Sequence, residues 1–161
     1  MRILQTALTG FLAAGIACGA AAAEGVSGVD AWREDPELIL DSSEVDIDDF
    51  RWIARPIVVF ADTEADPAFI RQMELISAQR RELVERDVAV IVDTDPDALS
   101  DLRRKLRPRG FMLTLIGKDG GVKLRKPFPW DVRELSRSID KMPIRQQEIR
   151  DRRRQGVGAE P

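Results

Sequence analysis

"RPIVVFADTEADPAFI" (Arg55–Ile70) holds a strand, a corner and a helix start in one unbroken stretch. Pro56–Ala61 is a short apolar run rich in β-branched residues, the pattern of a strand buried on both faces. Asp66 is a good N-cap, and Pro67 suits the first helical position, where a backbone N–H has no intrahelical partner. Apolar residues then recur at helical spacing through Phe69, Ile70, Met73, Ile76, Leu83 and Val84, which predicts one helix reaching about Arg86.

The same logic extends toward the C-terminus. "VAVIVD" (Val88–Asp93) reads as a second buried strand. Asp95-Pro96 predicts a second capped helix, with Leu99, Leu102 and Leu106 on one face and Pro108 and Gly110 ending it. "FMLTLIG" (Phe111–Gly117) is a third strand, and "KDGG" (Lys118–Gly121) is a hairpin turn in which Asp-Gly supplies left-handed backbone. "VKLRK" (Val122–Lys126) alternates and reads as an edge strand, its basic residues discouraging further pairing. After "PFPW" (Pro127–Trp130), Asp131 and Glu134 form a capping-box-like start, and Val132, Leu135, Ile139 and Met142 line one helical face. Phe128 and Trp130 read as plugs at a core edge. There are no internal repeats.

The order is therefore β-α-β-α-β-β-α. A helix between the first two strands makes them parallel with a right-handed crossover, and the last two form an antiparallel hairpin. The expectation is an α/β fold with a mixed four-stranded sheet, the connectivity of the minimal thioredoxin fold. Fold alone does not fix function.

Charge and hydropathy divide the chain. Residues 1–23 read as a signal peptide: Arg2 leads an uncharged run that ends at Ala21-Ala22-Ala23 before Glu24. A transmembrane anchor fits less well, because the run is rich in Ala and Gly and ends in a cleavage-like site. A lipoprotein anchored through Cys18 also fits less well, since Gly15 stands where a lipobox carries leucine. The expected location is export, to the periplasm or beyond. Residues 24–50 carry ten acidic residues against Arg33 alone and read as a loosely ordered acidic arm. At its end Phe50 and Trp52 alternate around Arg51 and suggest an edge segment. Residues 51–142 form the thioredoxin-like domain, and 143–161 a charged helical extension and tail. From Arg51 onward 23 Lys/Arg stand against 18 Asp/Glu, a net charge of plus five.

Composition excludes much chemistry. Beyond the leader the chain has no Cys, no His and no Tyr. Thiol redox couples, disulfides, the usual zinc ligands and Ser-His-Asp or Cys-His nucleophiles are thus unavailable. No phosphate-binding glycine loop or GxSxG is present. "DSSEVDIDD" (Asp41–Asp49) is acidic but lacks the glycine and terminal glutamate of an EF-hand loop, so neither a metal nor a cofactor is expected. "RRKLRPR" (Arg103–Arg109) reads as a solvated helix face, and a pI near 5.2 in an exported protein argues against nucleic acid.

Three stretches together carry a resemblance: "DDFRWIARPIVVFA" (Asp48–Ala61), "LIGKDGGVKLR" (Leu115–Arg125) and "IDKMPIRQQEIR" (Ile139–Arg150). They resemble a bacterial family of uncharacterised exported thioredoxin-like proteins. That domain type is itself similar to the DUDES-type module of vertebrate sushi-repeat-containing secreted proteins. The resemblance implies a secreted thioredoxin-like domain of unknown activity, for which a peroxiredoxin-like redox role has been suggested. It carries over no catalytic residue: the corner where CxxC would sit reads Asp62–Pro67, and Pro108 lies too far upstream of the third strand to match the thioredoxin cis-proline.

Two uses of the corner remain. It is a capped turn, or it is a binding site in which the helix-start N–H groups and the nearby "RPRG" loop (Arg107–Gly110) hold an anion. The candidate residues are Asp62, Thr63, Asp66, Arg107 and Arg109. The reading that follows is a non-catalytic binding or scaffold module of the cell envelope, with an unidentified protein or small anionic ligand as partner and weak contact of the basic tail with anionic lipid. The alternative is a redox-accessory or enzyme-like protein that uses the altered corner without its own thiol.

Overall fold

The computed structural model describes residues 27–157. The expected signal peptide with its expected cleavage near Ala23, and Cys18, lie outside them, as do the last four residues. A five-stranded mixed sheet is ordered β1-β3-β2-β4-β5, comprising β1 (Ile39–Asp41), β2 (Arg55–Phe60), β3 (Val88–Asp93), β4 (Met112–Ile116) and β5 (Val122–Lys126). β2 and β3 are parallel, with Ile57 opposite Val90, while β4 runs antiparallel to both β2 and β5. This is the thioredoxin-like α/β topology expected from the pattern.

The helices are α1 (Gly28–Glu34), α2 (Pro67–Ala78), α3 (Arg80–Val84), α4 (Asp101–Leu106), α5 (Val132–Asp140) and α6 (Pro143–Val157). Residues alternate strictly between two faces, as the pleat requires. Val58, Phe60, Ala89, Ile91 and Ile116 face Trp32, Phe50, Leu102 and Leu106. Ile57, Val59, Val90, Leu113 and Leu115 face Ile76, Leu83, Val132, Leu135 and Ile139. Full burial of one such large side chain contributes roughly 1.5–3 kcal/mol, so both layers are needed.

Four expectations need correction. The sheet has five strands, not four, because the acidic segment supplies β1, paired in parallel with β3 through Leu40 and Ile91. Val29, Trp32, Leu40 and Phe50 are buried, and Trp32 Nε1 donates to the Val88 carbonyl at 3.2 Å. The acids of this segment face outward and hide how firmly its few apolar residues dock it. The helix expected to reach Arg86 breaks at Gln79, whose φ of −134° and ψ of 38° are not helical. The helix expected from Pro96 begins instead at Asp101, after Ser100 accepts from Arg103 N. Asp95 caps only a turn, and Leu99 is 61% exposed with φ 46°, off the core face. Phe50 ends a 3-10 turn (Ile47–Phe50) and Trp52 takes φ 64°, so no edge strand forms there.

α6 is held by a charged cluster at the opposite end of the sheet from the corner. The buried Arg55 donates to the Arg86 carbonyl at 2.8 Å and to Glu148 at 2.9 Å. Lys118 Nζ bridges Glu148 at 2.9 Å and Asp87 at 2.8 Å. Arg86 grips Asp140 with two nitrogens, at 3.0 and 2.8 Å. Burial pushes the Glu148 carboxyl up, but hydrogen bonds and charge from Arg55 and Lys118 outweigh it and hold it below the ordinary range. The three stretches that carry the family resemblance meet in this cluster.

The Lys118–Gly121 turn forms as expected, with Gly117 N on the Gly121 carbonyl and Gly120 at φ 79°. Trp130 packs on the second core layer and exchanges two hydrogen bonds with Gln72, whereas Phe128 stays half exposed beside it.

Candidate functional site

α2 leaves β2 to cover one face of the sheet, and α4 leaves β3 to cover the other. The carboxyl ends of β2 and β3 are therefore the point where connections diverge, the place where open α/β sheets form a crevice. Here that crevice is filled from within. Arg103 on α4 donates Nε to Asp93 Oδ1 at 2.6 Å and Nη2 to the Asp93 carbonyl at 3.0 Å and to the Ala61 carbonyl. Asp93 Oδ2 accepts the Ser100 hydroxyl. The guanidinium also lies 5.6 Å from the centre of the Phe60 ring. Asp93 is 2% and Arg103 9% exposed, so this is a desolvated pair in which carbonyl and hydroxyl partners support the carboxylate and two of the three guanidinium nitrogens.

Beside the pair lies a depression of about 310 Å³ lined by Asp62, Pro96, Leu99, Arg103, Arg104 and Pro108. A second, of about 430 Å³, continues toward the end of β1 and shares Leu99 and Arg104 with it. Arg104 Nη1 donates to the Leu99 carbonyl at 2.6 Å, and Nη2 pairs with Asp101.

The sequence candidates fall around this site unevenly. Asp62 is exposed and approaches the RPRG loop: a Cβ built on Gly110 would lie 3.9 Å from Asp62 Oδ2. Thr63 Oγ1 accepts from Ala65 N at 2.9 Å and orders the turn. Asp66 Oδ1 accepts from Ala68 N at 2.7 Å and Phe69 N at 3.4 Å, so the helix-start donors are already engaged. Arg107 is the left-handed cap of α4, with φ 50°, and is exposed like Arg109. Among the described residues neither arginine forms an ion pair. Sequence reasoning missed Arg103, Asp93 and Ser100. The signal available was Asp93 itself, a carboxylate ending an otherwise apolar buried strand.

The acidic run has local work. Asp41 and Asp46 cap short turns, and Asp48 pairs with Lys105 at 3.0 Å, whose hydrogen bond and charge lower its carboxyl. Among the described residues no group of three or more His, Cys, Asp or Glu is placed to hold a metal, and no helix is long and apolar enough to cross a membrane.

Residues 46–148 match the family described as Domain of unknown function (DUF4174). The chain belongs to that family. The DUF4174 chain is 26% identical over 152 residues to coiled-coil domain-containing protein 80 of Danio rerio, covering 76% of this chain and 17% of that protein. It thus spans under a fifth of that relative's length. Among solved structures it is similar to the mitochondrial 2-Cys peroxiredoxin of Plasmodium falciparum, with TM-score 0.43 and 17% identity over 63% of this chain and 84% of that one. It is also similar to StoA of Bacillus subtilis, with TM-score 0.36 and 10% identity over 53% and 82% of the two chains.

Proposed function

We propose that this DUF4174 domain is a non-catalytic binding or scaffold module of an exported protein of the cell envelope. The observation that carries the reading is the filled crevice at the ends of β2 and β3. Arg103 and Asp93 fill the strand ends beside the corner, where Arg103 holds the Ala61 carbonyl, and the corner itself offers carboxylates and a capped turn. A thiol mechanism needs a thiolate, and the only cysteine is Cys18 in the leader. Export follows from that leader, and its cleavage near Ala23 leaves a chain without sulfur nucleophiles. The exposed arginines of α6, Arg150, Arg153 and Arg154, provide weak contact with anionic lipid.

The test is turnover by the processed chain. Insulin disulfide reduction with dithiothreitol and thiol-dependent peroxide consumption should both stay at the buffer rate. Stoichiometric turnover in either assay would favour the redox-accessory reading instead. Intact mass of the native protein should show a chain starting near Glu24, and a retained Met1 or a lipid adduct on Cys18 would refute the processing step.

A further inference from the structure

Arg103 is held on one side only. Its Nε and Nη2 are spent on Asp93 and Ala61, but Nη1 has no partner among the described residues and is not one of the sealed polar atoms that lack one. Arg103 lines the 310 Å³ depression, and Nη1 is its one nitrogen left without a partner among the described residues. The volume is at the lower end for small-molecule sites, which run from about 300 Å³ upward. Pro96, Leu99 and Pro108 give it apolar walls.

We propose that this depression binds a carboxylate attached to a short apolar group, with Arg103 Nη1 as the anion donor and Leu99, Pro96 and Pro108 against the apolar part. It rests on the reading of the domain as a binding module and names the ligand of that module. The charge balance selects a monoanion. Asp93 already offsets the Arg103 charge, Arg104 is paired with Asp101, and Asp62 stands in the lining with no ion pair of its own among the described residues, so each further negative charge on a ligand adds repulsion. One open guanidinium edge facing one free carboxylate cannot hold a dianion such as phosphate well. A buried guanidinium already fixed by three other hydrogen bonds loses no side-chain entropy when it binds, which favours even a small ligand. Leu99 fits this role. It is a large apolar side chain held exposed at φ 46°, a left-handed conformation that a non-glycine residue rarely adopts, and it stands where the two depressions meet.

The experiment is calorimetric titration of the full chain at low salt with hexanoate, hexan-1-ol and inorganic phosphate. Hexanoate is expected to bind with a Kd of about 1 mM, reasonable for its size, and the alcohol and phosphate at least about tenfold more weakly. Arg103→Lys keeps a cation for Asp93 but removes the guanidinium edge, and should weaken hexanoate about tenfold. Because Arg103 is buried, two exposed positions keep the test independent of folding. Leu99→Glu should weaken binding by a similar factor, and Asp62→Asn should tighten it by roughly threefold. Equal binding of hexan-1-ol, preference for phosphate, absence of saturable hexanoate binding, or indifference to both Leu99→Glu and Asp62→Asn would each overturn the site. Any of these results leaves the non-catalytic reading to the turnover assays, which decide it separately.

Discussion

Replacing Glu148 by Gln tests whether α6 is held by charge or merely lies on the domain. Glu148 receives Arg55 Nη2 and Lys118 Nζ on one oxygen, each at 2.9 Å, and Arg145 on the other at 3.3 Å. Glutamine keeps the shape and one acceptor oxygen but removes the charge. Arg55 is 1% exposed and would retain the Arg86 carbonyl at 2.8 Å and Asp87 at 3.9 Å. Asp87 would then serve Arg55, Lys118 and Arg152 together. Stranding a fully buried charge costs about 3–5 kcal/mol, and the partners that remain here reduce that to about 2–3 kcal/mol. In urea unfolding of the processed chain, followed by tryptophan fluorescence, this corresponds to a midpoint roughly 1–2 M lower at an unchanged slope. A loss below about 0.5 kcal/mol would refute the clamp, since that is the range of ordinary surface changes.

The remaining predictions concern protons and backbone. The folded Glu148 carboxyl lies below its ordinary value of 4.5, so its contribution is fully present above that value and is lost as pH falls through the lower folded one. The gap between wild type and Glu148→Gln should accordingly narrow progressively as pH falls below 4.5, and a gap that does not narrow at all on acidification would mean the charge is not its source. Gly120→Ala forces φ 79° on a Cβ and places it 2.9 Å from Arg51 Nε. It should cost about 1–2 kcal/mol by thermal or urea unfolding, mostly from the backbone because the Arg51 side chain can move. Trp52→Gly relieves φ 64° at a side chain that is 66% exposed, and should raise stability by up to about 1 kcal/mol. A clear loss would reveal packing by the indole.

The parts of the fold legible in the sequence are those where one signal acts alone. Val88–Val92 and Pro56–Phe60 are continuous apolar runs, and Asp66-Pro67 and Asp131 each supply a single unambiguous cap. Reading failed where two signals competed or where a few apolar residues were outnumbered. Asp95-Pro96 and Ser100 both mark a helix start five residues apart, and the tertiary bonds of Ser100 and Arg103 to Asp93 select the later one. β1 has only Ile39 and Leu40 as apolar residues, and its pairing depends on β3, which the local sequence cannot display. The site was hidden in the same way. Asp62, Thr63 and Asp66 were found because a strand-to-helix corner is a local pattern. Arg103 sits in a basic run whose neighbours are mostly solvated, and only its long-range partners set it apart.

The Arg103–Asp93 pair closes the strand-end crevice, and a double-mutant cycle measures that closure. Asp93→Asn and Arg103→Met each leave a buried partner uncompensated and should cost about 3–5 kcal/mol in urea unfolding at neutral pH. The double variant should be less destabilised than the sum by at least about 2 kcal/mol, because neither charge is then stranded. Additive losses, with no coupling between the two positions, would contradict the account and leave the crevice open for another chemistry.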